Sequence, residues 1–237
     1  MTSIVTVSPA RNIYEQVKWK CQVYVSLFTT IIIVQSLFGF LAMNGAGSLG
    51  MNRGFVEYQE SYFSLDSTYI ISVIVLFILG WMLANSKMIH QNYSVVNSAT
   101  TDTIANFILI ALLSAFTMFA SLCVVYIIML IQIMTENFQQ FYIEKTVDIG
   151  MLVVFYMMIS LASSIGYLLK TIFDYSKILF IGMIVLLIVV VNLASGNFLP
   201  MIFGASMLAI SIRTIIYVLV IWCIILLIQR RKEVNRL

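Results

Sequence analysis

The sequence predicts an all-α, polytopic membrane protein: six transmembrane helices preceded by an N-terminal interfacial helix. Three observations carry this. The 237 residues are 62% hydrophobic and 10% charged, with a mean hydropathy of +1.03. The charges are spaced so that apolar windows of bilayer-crossing length lie between them. The basic residues are biased to alternate connections. A soluble domain needs about 25% charged residues to wet its surface, so most of this chain must face lipid rather than water. No polar stretch is long enough to bury a core of its own. Residues 1–237 therefore read as a single transmembrane domain.

Charge is costly at the bilayer centre, so gaps between charged residues mark the spans. Lys20 to Arg53 holds a first span at 22–43, and Asp66 to Lys87 a second at 67–86. Asp102 to Glu136 holds a third at 103–134, long enough to project beyond the hydrocarbon, and Asp148 to Lys170 a fourth at 149–169. No charge lies between Lys177 and Arg213. One straight helix over that distance would run about 50 Å, against a core of about 30 Å. Asn192, Ser195-Gly196-Asn197 and Pro200 supply a break. A fifth span is therefore expected at 178–196 and a sixth at 210–229, with 197–209 as a surface or re-entrant segment. The first apolar run begins near Gln22 and is longer than the about 7–15 residues of a signal-peptide core, which reads as a retained anchor.

Orientation follows from Lys and Arg. With the N-terminus inside, Arg11, Lys18, Lys20, Lys87, Lys170, Lys177, Arg230, Arg231, Lys232 and Arg236 are cytoplasmic, ten of the thirteen basic residues. Arg53, Lys145 and Arg213 are left outside. Both termini are then cytoplasmic and the chain is a multi-pass plasma-membrane protein.

Residues 8–21 begin Ser-Pro, an N-cap followed by proline at the first helical position. Ile13, Val17 and Cys21 share one face, beside Tyr14, as in a helix lying on the leaflet surface. Residues 88–103 form the longest expected cytoplasmic loop. Met88, Ile89, Tyr93, Val95 and Val96 give it apolar content suited to a partner surface or to a short helix on the protein's own membrane face. Ser160, Ala162, Ser163, Ser164 and Gly166 place small residues on the fourth span, an expected helix-packing face built on Ser160, Ser163, Ser164 and Gly166.

Several motifs carry no chemistry in this setting. Gly45-Ala46-Gly47-Ser48-Leu49-Gly50 matches G-x-G-x-x-G but follows a span on the outer side, where a flexible loop is expected rather than a dinucleotide site. Asn92-Tyr93-Ser94 matches a glycosylation sequon on the cytoplasmic side. There is no G-x-x-x-x-G-K-[ST] run. His90, the single histidine, has no cluster of ligating or catalytic residues near it in sequence. Cys21, Cys123 and Cys223 lie in or beside apolar runs without a CxxC. Polar residues within the spans are neutral: Gln35, Ser114, Thr117, Ser121, Gln132, Ser160 and Asn192. Ion-coupled carriers place ionisable or unwound polar sites near the midplane, so the chain shows no energy-coupling chemistry of its own. Neither catalytic residues nor a cofactor or metal site is expected.

The layout of residues 8–21, 88–103 and 197–209 around six spans resembles the permease subunits of bacterial ABC-2-type exporters. The end of the fourth span, Ser163-Ser164-Ile165-Gly166-Tyr167-Leu168-Leu169-Lys170-Thr171-Ile172-Phe173, is similar to the small-residue, Gly-aromatic, basic exit of these permeases. The resemblance covers nearly the whole chain as an architecture. Many members carry a basic or Pro-containing coupling segment, and residues 88–103 have neither. The resemblance implies a coupling contact at Ile89, His90, Gln91, Asn92, Tyr93, Ser94, Val95 and Asn97. It also implies two copies of a P-loop ATPase that bring ATP and Mg, and a second permease chain, identical or homologous. The implied cargo is hydrophobic or amphipathic: a peptide, lipid or antibiotic. Membrane lipids are expected partners; nucleic acid is not. The competing readings are a non-transporting scaffold, regulatory or immunity protein, and an ion-coupled or facilitated carrier.

Overall fold

The computed structural model describes residues 9–43, 48–53, 56–61, 66–85, 99–135, 149–193 and 206–234. Within them the chain forms α1 (Pro9–Val23), α2 (Val25–Met43), β1 (Ser48–Arg53), β2 (Val56–Ser61), α3 (Asp66–Leu83), α4 (Ala99–Thr135), α5 (Ile149–Tyr175), α6 (Lys177–Leu193) and α7 (Met207–Val234). The chain is a helical membrane protein. Segments 100–131, 149–175 and 207–231 are each long and apolar enough to cross a bilayer, and the bent pair of α1 and α2 adds a fourth if counted as one broken span. At about 1.5 Å per residue, the 37 residues of α4 outreach a hydrocarbon core of about 30 Å. The apolar part of α3 is shorter, 68–83.

The strands were not anticipated. β1 and β2 pair antiparallel with Ser48 opposite Ser61 and Arg53 opposite Val56. Ser48, Leu49 and Gly50 of the G-x-G-x-x-G run lie in β1, so they do not form the loop that was expected.

α1 and α2 meet at 52°. At the break the Leu27 amide donates to the Tyr24 carbonyl at 2.9 Å, an i→i−3 bond, while Tyr24 still donates to Lys20 at 2.8 Å. The ladder thus tightens for one turn and changes direction there without a proline.

Ring and side-chain contacts fix the helix directions. Tyr69 on α3 lies against Phe155 on α5 with ring centroids 5.2 Å apart, and Trp81 against Phe173 at 6.0 Å, so α3 and α5 run parallel. Thr214 on α7 meets Met158, and Trp222 meets Ser164, so α7 also runs parallel to α5. Phe28 on α2 stacks edge-on to Phe116 on α4 at 5.0 Å, and Gly39 lies against Val124 and Ile128, so α2 and α4 run parallel. Asn106, early on α4, bonds Tyr167, late on α5, so these two are antiparallel. Two consequences follow. Lys20 and the part of α7 beyond Trp222 lie at the same end of the bundle. The late parts of α5 and α7 lie together at one end, because the two helices point the same way.

The packing is inverted relative to a water-soluble domain. Ile33, Leu37, Phe119, Leu130, Ile178, Ile181, Leu208 and Leu219 are exposed, while Ser72, Ser114, Thr117, Ser121, Ser163 and Ser164 are buried. In hydrocarbon the apolar side chains lose nothing outside, and hydroxyls are better placed among protein partners. The apolar core itself joins Ile31, Leu76, Leu109, Leu113, Tyr167, Trp222 and Ile225.

α3 and α5 approach backbone to backbone. A Cβ added at Gly80 would overlap the Ser163 carbonyl oxygen, and one at Gly166 would overlap the Phe77 carbonyl oxygen. Two glycines facing each other's partner helix let the axes close in, which maximises dispersion contact. Gly80→Ala and Gly166→Ala should each cost about 1–3 kcal/mol, seen as a lowered melting temperature of the purified protein. Nothing lies within 4 Å of a Cβ added at Gly182 on α6, so Gly182→Ala should be neutral or stabilising by up to about 1 kcal/mol.

Candidate functional site

Lys20 occupies the last turns of α1 and is only 3% exposed. Its Nζ donates to Asp102 Oδ1 at 2.6 Å, to Asn106 Oδ1 at 2.5 Å and to the Asp102 carbonyl at 3.4 Å. Asp102 and Asn106 are one turn apart at the start of α4, so a single helix face presents both acceptors. A dehydrated ammonium without partners would cost several kcal/mol; here all three of its hydrogens have an acceptor. The Asn106 amide is used at both ends: its Nδ2 donates to Tyr167 Oη at 3.0 Å and to Asp102 Oδ2 at 3.3 Å. Tyr167 is fully buried and its ring lies 5.1 Å from that of Trp222, which also packs edge-on against Phe107 at 4.9 Å. Trp222 Nε1 donates to Ser164 Oγ at 2.9 Å, and Ser164 donates in turn to the Ser160 carbonyl at 2.8 Å. One polar path thus joins α1, α4 and α5, and aromatic contact extends it to α7.

A second cluster sits deeper among α2, α3 and α4. Gln35 Nε2 lies 2.9 Å from Ser72 Oγ, 2.7 Å from Ser121 Oγ and 3.1 Å from the Thr117 carbonyl. Ser72 and Ser121 spend their own protons on the Thr68 and Thr117 carbonyls, which leaves their lone pairs for the amide. Gln35 Oε1 has no hydrogen-bond partner. A third arrangement lies near the ends of α3 and α5. Lys170 pairs with Asp174 at 2.7 Å and lies 5.8 Å from the Trp81 ring centroid and 5.1 Å from that of Phe173. Phe180 on α6 closes this aromatic group, 5.3 Å from Phe173 and 6.1 Å from Trp81.

The sequence-predicted residues fall as follows. Ile89, His90, Gln91, Asn92, Tyr93, Ser94, Val95 and Asn97 lie outside the described residues. Ser160, Ser163, Ser164 and Gly166 are buried on α5. Gly166 abuts α3, Ser164 binds Trp222, and the Ser163 hydroxyl has no partner. On α1 the apolar and polar residues part to different faces. Ile13, Val17 and Cys21 are only partly buried, and the residues turned against the protein are Gln16 and Lys20. The acceptors on α4 are what draw this polar face inward. Both polar atoms of the Gln16 amide are buried without a hydrogen-bond partner. Tyr14 is 65% exposed.

Lys20, Asp102, Asn106 and Trp222 were not singled out from the sequence as a site, and Tyr167 entered only as the aromatic of the fourth-span exit. Lys20 and Asp102 served there to bound apolar windows, and Lys20 to set orientation. The one available signal was Asp102-x-x-x-Asn106, two hydrogen-bonding side chains on the same face at the mouth of an apolar helix. Among the described residues no group of three or more His, Cys, Asp or Glu is placed to hold a metal. The chemistry the path supports is mechanical: it holds helix ends together through oriented bonds.

Removing the carboxylate should expose the cost of the buried charge. Asp102→Ala should destabilise the purified protein by about 3–5 kcal/mol, because it leaves an uncompensated ammonium. Trp222→Phe, which loses one neutral hydrogen bond and keeps the ring, should cost about 1 kcal/mol. Thermal unfolding in one detergent reads both; equal losses would show that the charge is not what holds this end together.

Comparison of the chain with protein-family models, with curated proteins and with solved structures finds no match.

Proposed function

We propose that the chain is the permease subunit of an ATP-driven exporter of the ABC-2 type, crossing the plasma membrane six times with both termini in the cytoplasm. Two such chains, identical or homologous, work with two P-loop ATPase subunits that supply ATP and Mg, and the cargo is hydrophobic or amphipathic. The observation that carries this reading is the tie of α1 to the start of α4 through Lys20, directly after residues 88–98 in the chain. A short helix meeting an apolar one at 52°, locked to the helix that the cytoplasmic loop feeds, is suited to receiving a push from a partner at that end.

Three further points support it. Alternating helix directions, with α5 and α7 parallel, fit six crossings. The end that carries Lys20 also carries Lys170, Lys177, Arg230 and Arg231, as a cytoplasmic face should. Lys170, the basic residue of the Gly-aromatic exit, is held by Asp174 and aromatic rings. The polar groups buried deeper among the helices, Gln35, Ser72, Thr117 and Ser121, are neutral, which leaves the energy to be supplied by another chain. Transport is then a shift between two packings of rigid helices, driven by ATP-dependent partner contacts that differ between them.

Co-expression with the P-loop ATPase encoded nearest to its gene, followed by purification in mild detergent, should yield ATPase and permease in equal amounts. Deletion of residues 88–98 should abolish that association while the permease still purifies. A permease that never retains an ATPase, or an activity that survives a Walker-lysine substitution in it, would instead favour the scaffold or immunity reading.

A further inference from the structure

α1 is held to the bundle in an unusual way for an interfacial helix. Its apolar residues Ile13, Val17 and Cys21 are only partly buried, and its most buried side chains are Gln16 and Lys20. Apolar contact is non-directional, so a helix resting on an apolar stripe can roll or slide at small cost. A buried ammonium cannot leave its acceptors without standing bare in a dry site. All three acceptors of Lys20 belong to Asp102 and Asn106 on α4, and Asn106 passes the bond to Tyr167 on α5. α1 runs into α2 through the tightened turn at Tyr24. The directed side-chain bonds of α1 therefore go to α4 and, through Asn106, on to α5.

We propose that Lys20 is the positioning residue of a lever, locking α1, the first turns of α4 and the late part of α5 into one body. Its use in transport rests on the permease reading; the lever itself does not. In a permease, displacement at the start of α4 would carry α1 and α5 with it.

The lever is testable on the isolated full chain in nanodiscs. With Cys21, Cys123 and Cys223 replaced by serine, spin labels go on Tyr14→Cys and Tyr175→Cys, both at exposed positions on α1 and α5. The distance distribution should be a single narrow peak. Lys20→Ala should lose that peak, and the charge swap Lys20→Asp with Asp102→Lys should bring it back. Where Lys20→Ala does not fold, Asp102→Asn, which keeps a carbonyl acceptor and removes the charge, should show the same loss. An unchanged narrow peak in the single variants overturns the proposal. So does a charge swap that melts like the parent yet stays broad. No ATPase or cargo enters the measurement, so this failure leaves the permease reading to its own test.

Discussion

Hydrocarbon offers no hydrogen bond, and the arrangement of this bundle follows from that constraint. Hydroxyls inside the spans turn inward and most spend their proton at home. Thr117 donates to the Leu113 carbonyl, Ser121 to Thr117, Ser164 to Ser160, Thr171 to Tyr167 and Thr214 to Ile210, each an i→i−4 bond within one helix. Such bonds satisfy the group without joining anything to anything. Among the described residues, several of the ties between helices come from side chains that reach across a gap: Gln35, Lys20, Asn106 and the indole of Trp222.

Those few residues act at two depths. Gln35 gathers α2, α3 and α4 in the interior, where neutral partners suffice. Lys20 and Asp102 act at one end, where α1 meets the mouth of α4. A full charge pair is tolerable there because the ammonium has three acceptors and Asp102 retains some exposure. The apolar packing between these levels has its closest point at Gly80 and Gly166, where α3 and α5 touch through backbone. Polar ties set which helix ends belong together; the glycine contact sets how near two of the axes can come.

This division bears on function. A bundle whose interior is satisfied locally can shift between packings without breaking many bonds, since the i→i−4 hydroxyl bonds travel with their own helix. The charged tie at the end of α1 cannot be broken as cheaply, so it marks the part that must move as a unit.

The sequence by itself determined the class of solvent, the apolar helices and where most of them begin and end. Charge spacing is a one-dimensional property, and the cost of burying a charge in lipid acts on each residue singly. Thus Asp102 and Lys170 bound apolar windows whatever their neighbours are. The small residues from Ser160 to Gly166 are likewise visible singly in the sequence, but only the structure sets Gly166 against the Phe77 carbonyl. The hairpin at Ser48–Ser61 was not legible, since its strands lack clear apolar alternation and pair by backbone. Tertiary structure alone decided what Lys20 does. It stands 82 residues from Asp102, and nothing local distinguishes a lysine that flanks a span from one buried against a distant carboxylate. The face that α1 turns inward was decided likewise: the bonds of Lys20 to acceptors on α4 bring Gln16 and Lys20 against the bundle, and those acceptors are distant in sequence.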